Sequence, residues 1–189
     1  MPNIICSFLT AILLLSSLAT SPFADDSEIK VLFSPQDECG REILGRIGSA
    51  EKSIELAMYT LTSRALSNAL ASAARRGVTV RVFLDGENAE EYYSKAGFLA
   101  KNGVIVKPEK GEGLMHNKFC IIDDKTVITG SYNWTVSADL KNDENVIIME
   151  SDKIAKIFKL QFEKYWQGTY PDVSFYTNKN NLTKIHNLK

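Results

Sequence analysis

The residues able to do chemistry crowd into one stretch of this chain. From Met115 the sequence reads MHNKFCIIDDKTVITGSYNW, and Glu144 follows. His116 and Lys118 stand two apart on a predicted strand, so period-two geometry sets both side chains on one face. Asp123 ends that strand, Gly130-Ser131 opens a turn, Asn133 follows, and Glu144 sits just before the next predicted strand. An imidazole, an ammonium, a hydroxyl, an amide and a carboxylate are thereby expected at the same end of neighbouring strands. Such a set suits a phosphodiester. The ammonium and the amide bind and neutralise non-bridging oxygens, while the imidazole attacks phosphorus or moves a proton. A lysine on a buried strand also calls for an anionic partner, because an unpaired buried charge is costly.

These residues need a scaffold. Strands are expected at Glu28 to Phe33, Ser53 to Tyr59, Val78 to Leu84, Val104 to Lys107, His116 to Ile122, Thr126 to Thr129 and Asn145 to Met149. Val78 to Leu84 (VTVRVFL) has the near-continuous apolar run of a buried parallel strand. Helices are expected from Ser34-Pro35 to about Ala50, from Thr62 or Ser63 to Arg75-Arg76, over Ala89 to Lys101, and over Ser151 to Gln167. In the last of these Ile154, Ile157, Phe158, Phe162, Tyr165 and Trp166 recur at helical spacing. Alternating strands and helices predict an α/β fold, a mixed sheet sandwiched by helices.

The 189 residues suit one domain. With 22 basic and 23 acidic side chains the net charge is -1, so an anionic partner must be held by a local basic patch rather than by the field of the whole molecule. Residues 1–24 carry no charged side chain, and Ile4 to Leu18 is almost unbroken apolar sequence. This segment reads as a signal peptide cut after Ala24, and hence as export to the periplasm or medium. An uncleaved anchor and a buried helix are the rival readings. The catalytic domain is expected over 25–176, with a polar tail over 177–189. With 3 cysteines, 2 histidines and no Cys-x-x-Cys pair, the chain argues against a structural zinc site. Cys39 and Cys120 either pair in an oxidising compartment or stay as two buried thiols, the second being favoured.

The spacing His-x-Lys-x4-Asp-x6-Gly-Ser-x-Asn, met at His116, Lys118, Asp123, Gly130, Ser131 and Asn133, resembles the signature of the phospholipase D superfamily. From about Glu28 to Trp166, including the Ala-Arg-Arg-Gly-Val-x-Val-Arg-Val helix-to-strand passage at Ala74 to Val82, the layout is similar to the small bacterial phospholipase D-like endonucleases. The resemblance implies chemistry without metal or cofactor. One His forms a phosphohistidine, a second protonates the leaving oxygen, and water then hydrolyses the adduct. This chain has a single motif, and His186 lies in the polar tail without a Lys two residues on. The resemblance therefore implies a homodimer sharing one active site on its axis. His116, Lys118, Asp123 and Glu144 are the catalytic candidates; Lys118 and Asn133 bind phosphate oxygens, and Ser131, placed with them among the substrate-binding residues, hydrogen-bonds within the site. Asp123 belongs to the signature, yet a structural part suits it better than contact with phosphate. Glu144 matches the family carboxylate that orients an imidazole, within the subunit or across the axis.

Other charges and rings have plainer readings. Arg75, Arg76 and Arg81 form either a nucleic-acid groove or a solvated helix end, and Tyr132 and Trp134 either stack on substrate or pack in the core. The leading expectation is an endonuclease of low base preference acting on DNA or RNA. The alternatives are a phospholipase D releasing phosphatidic acid, and a nucleic-acid or membrane binding module with weak turnover.

Overall fold

The computed structural model describes residues 28–111 and 113–169. The expected leader (1–24) and polar tail (177–189), with His186, lie outside the described residues. In chain order the elements are β1 (Glu28–Ser34), α1 (Cys39–Gly48), β2 (Ser53–Met58), α2 (Arg64–Arg75), β3 (Thr79–Leu84), α3 (Gly86–Glu90), α4 (Ala96–Lys101), β4 (Ile105–Pro108), β5 (Lys118–Ile122), β6 (Thr126–Gly130), α5 (Val136–Leu140), β7 (Glu144–Glu150) and α6 (Asp152–Gln167). The strands form one sheet in the order β1-β7-β6-β5-β2-β3-β4. The pairs β2–β3 and β3–β4 are parallel and the other four antiparallel, so the sheet is mixed as expected.

Alternation along the strands divides the core in two. On one face Leu56, Val82, Cys120, Ile128 and Ile148 pack with Ile43 and Ile47 of α1 and Leu66 and Leu70 of α2. On the other face Ala57, Phe83, Phe119, Ile121 and Val127 lie with Ala155 and Phe162 of α6. Both faces of β3 are buried, which is why its sequence reads as a continuous apolar run. The helix ends follow local rules. Ser63 accepts from the Leu66 N–H at the start of α2, and Ser151 accepts from the Ile154 N–H at the start of α6. Gly168, at φ 71, closes α6 in the left-handed conformation that glycine adopts without penalty.

Tertiary pairing overrules the local signals in three places. Ser34 does not cap a helix. The β1–β7 ladder runs on to Ser34↔Glu144, the Ser34 hydroxyl donates to the Asn142 carbonyl, and α1 begins only at Cys39. The helix expected over Ala89 to Lys101 is two short helices, α3 and α4. The chain between them is held to the loop after β2, where the Lys95 N–H donates to the Leu61 carbonyl. His116 lies outside the strand that follows it. The β2–β5 register ends at Met58↔Lys118, and one further bond, from the Tyr59 N–H to the Asn117 carbonyl, precedes the parting of the chains. The short helix α5, capped by Thr135 on the Ala138 N–H, has only five residues and shows no periodicity in the sequence.

Candidate active site

The start of β5, the end of β6 and the start of β7 meet at one end of the sheet. Lys118 opens β5 and is buried, at 9 % exposure. Its ammonium donates to the His116 carbonyl at 2.7 Å and lies 4.8 Å from the centre of the Tyr59 ring. Burial pushes the Lys118 ammonium below the ordinary lysine range, while Glu144 and Asp85 pull it back up. Those two carboxylates thus offset in part the burial of a cation placed where water is scarce. His116 itself is exposed. Its ring packs on Tyr59, centroid to centroid 4.4 Å, at 54°. Among the described residues the imidazole has no hydrogen-bond partner.

The turn after β6 supplies the other groups. Gly130 is required there. Its φ is 147, and a Cβ would stand 2.1 Å from the Asn145 carbonyl oxygen, which accepts from the Ser131 N–H at 3.2 Å. The Ser131 hydroxyl donates to Glu144 Oε2 at 2.5 Å and accepts from the Asn145 N–H at 3.0 Å. The Asn142 amide donates to Glu144 Oε1 at 3.0 Å. Asn133 uses its carboxamide oxygen to accept from the Thr60 N–H at 3.2 Å, which leaves its Nδ2 group as the donor for an incoming oxygen. The turn is also tied to the loop after β2, since the Thr62 and Ser63 N–H groups both donate to the Trp134 carbonyl.

The structure thus brings His116, Lys118, Ser131, Asn133 and Glu144 to one end of the sheet, and places Asp123 elsewhere. The Asp123 carboxylate, at the far end of β5, accepts from the N–H groups of Glu51, Lys52 and Ser53 at 2.9, 2.7 and 2.9 Å. It splices β5 to the chain entering β2 and takes no part at the site. Partial burial pushes its carboxyl up, but the three backbone bonds outweigh this and hold it below the usual range. Ser131, expected to bind substrate, has its hydroxyl committed to Glu144. His116 and Lys118, expected on one face of a strand, do not share a pleat, since His116 precedes β5; the Lys118 ammonium instead donates to the His116 carbonyl.

Several other expectations resolve here. Arg76 donates to the carbonyls of Ile47, Gly48 and Ala50 at the end of α1. Arg81 is paired with Glu55 and Glu163 and lies over the Phe162 and Trp166 rings. Neither is available to line a groove. Tyr132 and Trp134 are core residues, and the Tyr132 hydroxyl donates to Asp139. Cys39 and Cys120 are two buried free thiols. The sequence reading passed over Tyr59, Thr60, Asn142 and Asn145. Tyr59 and Thr60 come from a strand end about 60 residues before the motif, and only folding sets them against it.

Residues 43–166 match the family described as cardiolipin synthase, PLD-like domain. The chain belongs to the phospholipase D superfamily. Phospholipase D of Rickettsia conorii is 39% identical over 132 residues, which is 70% of this chain and 66% of the relative. Mitochondrial cardiolipin hydrolase of Xenopus laevis is 34% identical over 164 residues, 81% of this chain and 78% of the relative. Among solved structures, the phospholipase D family member Nuc from Salmonella typhimurium has a TM-score of 0.71 at 30% identity, covering 75% of this chain and 95% of its own. NucT from Helicobacter pylori has a TM-score of 0.69 at 27% identity, covering 75% and 96%. The chain spans just under two thirds of the length of the Rickettsia relatives.

Proposed function

We propose that this chain is a phosphodiesterase that cleaves DNA or RNA through a phosphohistidine on His116, needing no metal, with two copies building one active site. The observation that carries the reading is an exposed imidazole two residues from a buried ammonium, which donates to the His116 carbonyl, beside an amide donor. Lys118 and Asn133 bind the non-bridging oxygens. An imidazole nitrogen of His116 attacks phosphorus, the P–N bond forms and the P–O bond to the leaving group breaks. The leaving oxygen takes a proton from the His116 imidazolium of a second copy. That imidazole, now neutral, accepts a proton from water as the water attacks phosphorus and the P–N bond breaks. The phosphomonoester is released and both side chains return to their starting states.

Glu144 is bonded to Ser131 and Asn142 and makes no hydrogen bond to His116 of its own chain. This favours action across the axis, on the imidazole of the second copy. The nuclease reading draws on the likeness to Nuc and NucT, each covered almost end to end. It also suits the polar rim of the site, formed by Asn117, Ser131, Asn142 and Asn145. Lipid hydrolysis is the second reading, favoured by relatives named phospholipase D and cardiolipin hydrolase. Export through residues 1–24 belongs to the same proposal, and cell fractionation tests it.

The test offers the purified protein single-stranded DNA, duplex DNA, RNA, phosphatidylcholine vesicles and cardiolipin vesicles, each with excess EDTA. Cleavage of nucleic acid, with a 32P-labelled adduct trapped on His116, is the expected result. Turnover of lipid alone replaces the nuclease reading with the second one. Loss of all turnover on chelation overturns the mechanism.

A further inference from the structure

A nucleophile must be aimed as well as activated, and a misplacement of about 1 Å can cost ~100-fold in rate. His116 precedes β5, so no sheet pairing fixes its side chain, and among the described residues no carboxylate or carbonyl bonds its ring. The group that touches the ring is Tyr59. Tyr59 is itself pinned from both sides of the motif. Its N–H donates to the Asn117 carbonyl, between His116 and Lys118, and the next residue donates its N–H to the Asn133 side chain. The same ring faces the Lys118 ammonium at 4.8 Å, within cation–π range.

We propose that Tyr59 is a positioning residue whose ring sets the imidazole of His116 and the ammonium of Lys118 at a fixed spacing. A phosphate oxygen held by Lys118 then leaves its phosphorus in line with the imidazole. This rests on the phosphodiesterase reading above. The ring acts by its faces, so the phenolic hydroxyl is dispensable. Tyr59 touches no reacting atom, and its removal is expected to lower kcat while leaving KM nearly unchanged.

The experiment compares the wild-type chain with Tyr59→Phe and Tyr59→Leu on bis(4-nitrophenyl) phosphate, a diester too small to reach distant binding surfaces. Tyr59→Leu is expected to lose about 10- to 100-fold in kcat, and Tyr59→Phe to restore most of it. The second readout is the imidazole Cε1–H resonance. The chain has two histidines, so the His116 signal is assigned by its loss in His116→Gln. The upfield shift from the Tyr59 ring should persist in Tyr59→Phe and vanish in Tyr59→Leu. Should Tyr59→Leu lose its cooperative melt, Tyr59→Met, which fills similar space with a flexible chain, takes its place. Full kcat without the ring overturns the proposal. So does a rise in KM alone, which would make Tyr59 a substrate contact, or a loss in Tyr59→Phe as large as in Tyr59→Leu. A wild-type chain inert on every diester brings down the functional reading and the positioning role together. An active wild type with an unaffected Tyr59→Leu brings down the positioning role alone.

Discussion

At the far end of β5 the Asp123 carboxylate accepts three backbone N–H groups, which hold it below its ordinary titration range against the upward push of burial. At the near end the Lys118 ammonium makes one bond, to a neighbouring carbonyl, and burial weakens its hold on its proton. Five residue steps at about 3.3 Å each separate the two, roughly 17 Å. One end of the strand has its electrostatics satisfied from within and serves the fold. The other keeps a cation, an amide donor and an unbonded imidazole, which an incoming phosphate would satisfy. A protein tolerates unmet polar groups where a ligand will complete them, and the contrast separates the parts of one motif into machinery and scaffold.

The sharpest way to break this contrast is at the near end. His116→Ala should lose at least about 1,000-fold in kcat with the thermal midpoint unchanged, as read by diester turnover beside a melting curve. Lys118→Met should lose about 100- to 1,000-fold, because the charge that neutralises the phosphate is gone. Its melting point should change little, since the desolvation cost of the buried cation goes together with its bond to the His116 carbonyl and its contact with the Tyr59 ring. Loss of folding in either variant would make the near end scaffold too. The pH profile offers a finer cut. Lys118 is depressed below the ordinary 10.5, so activity should fall on the alkaline side before a free lysine would titrate. Lys118→Arg should carry that limb to higher pH if it retains measurable turnover.

The far end should answer in stability alone. Asp123→Ala is expected to cost about 1–3 kcal/mol in urea unfolding, since the partly exposed N–H groups it leaves recover water as partners. Turnover per folded molecule should not change. The sign of its pH dependence follows from the depressed carboxyl. The unfolded chain takes up the proton first as pH falls, so the stabilisation is complete above the unfolded value near 4 and is lost as pH drops through the folded one. The wild type should therefore show an acid step in urea midpoint that Asp123→Ala lacks. A matching acid step in the variant would show that other carboxylates govern acid stability. The smallest effect is expected at Ser131→Ala, a few-fold in kcat, which frees one oxygen of Glu144 without removing it.

Much of this was legible in the chain. Five of the six signature residues gather at one end of the sheet, as their spacing led one to expect, and the alternation of Val80, Val82 and Leu84 with Phe83 marked a strand buried on both faces. Ser63 and Ser151 declared two helix starts through a side-chain oxygen reaching an N–H three residues on, a purely local bond. Where a local signal competed with a distant partner, the partner prevailed. Ser34-Pro35 has the form of a helix start, yet its backbone was claimed by Glu144, 110 residues away. His116 has the spacing of a strand residue, but β2 offers no partner beyond Tyr59, so it hangs free of the ladder. Arg76 and Arg81 looked available to a polyanion until the fold set carbonyls, Glu55 and Glu163 against them.

Residue types and short spacings settled what chemistry the chain can attempt, because an imidazole, an ammonium and an amide carry their reactivity wherever they are placed. They also set a turn at Gly130-Ser131, though that Gly130 admits no side chain follows only from the approach of the Asn145 carbonyl in the fold. Only the tertiary structure turned the Ser131 hydroxyl toward Glu144 and brought Tyr59 across from the end of β2 to face both the imidazole and the ammonium. Those outcomes depend on sheet register between strands far apart in sequence, and register is decided by the whole buried core rather than by any neighbour along the chain.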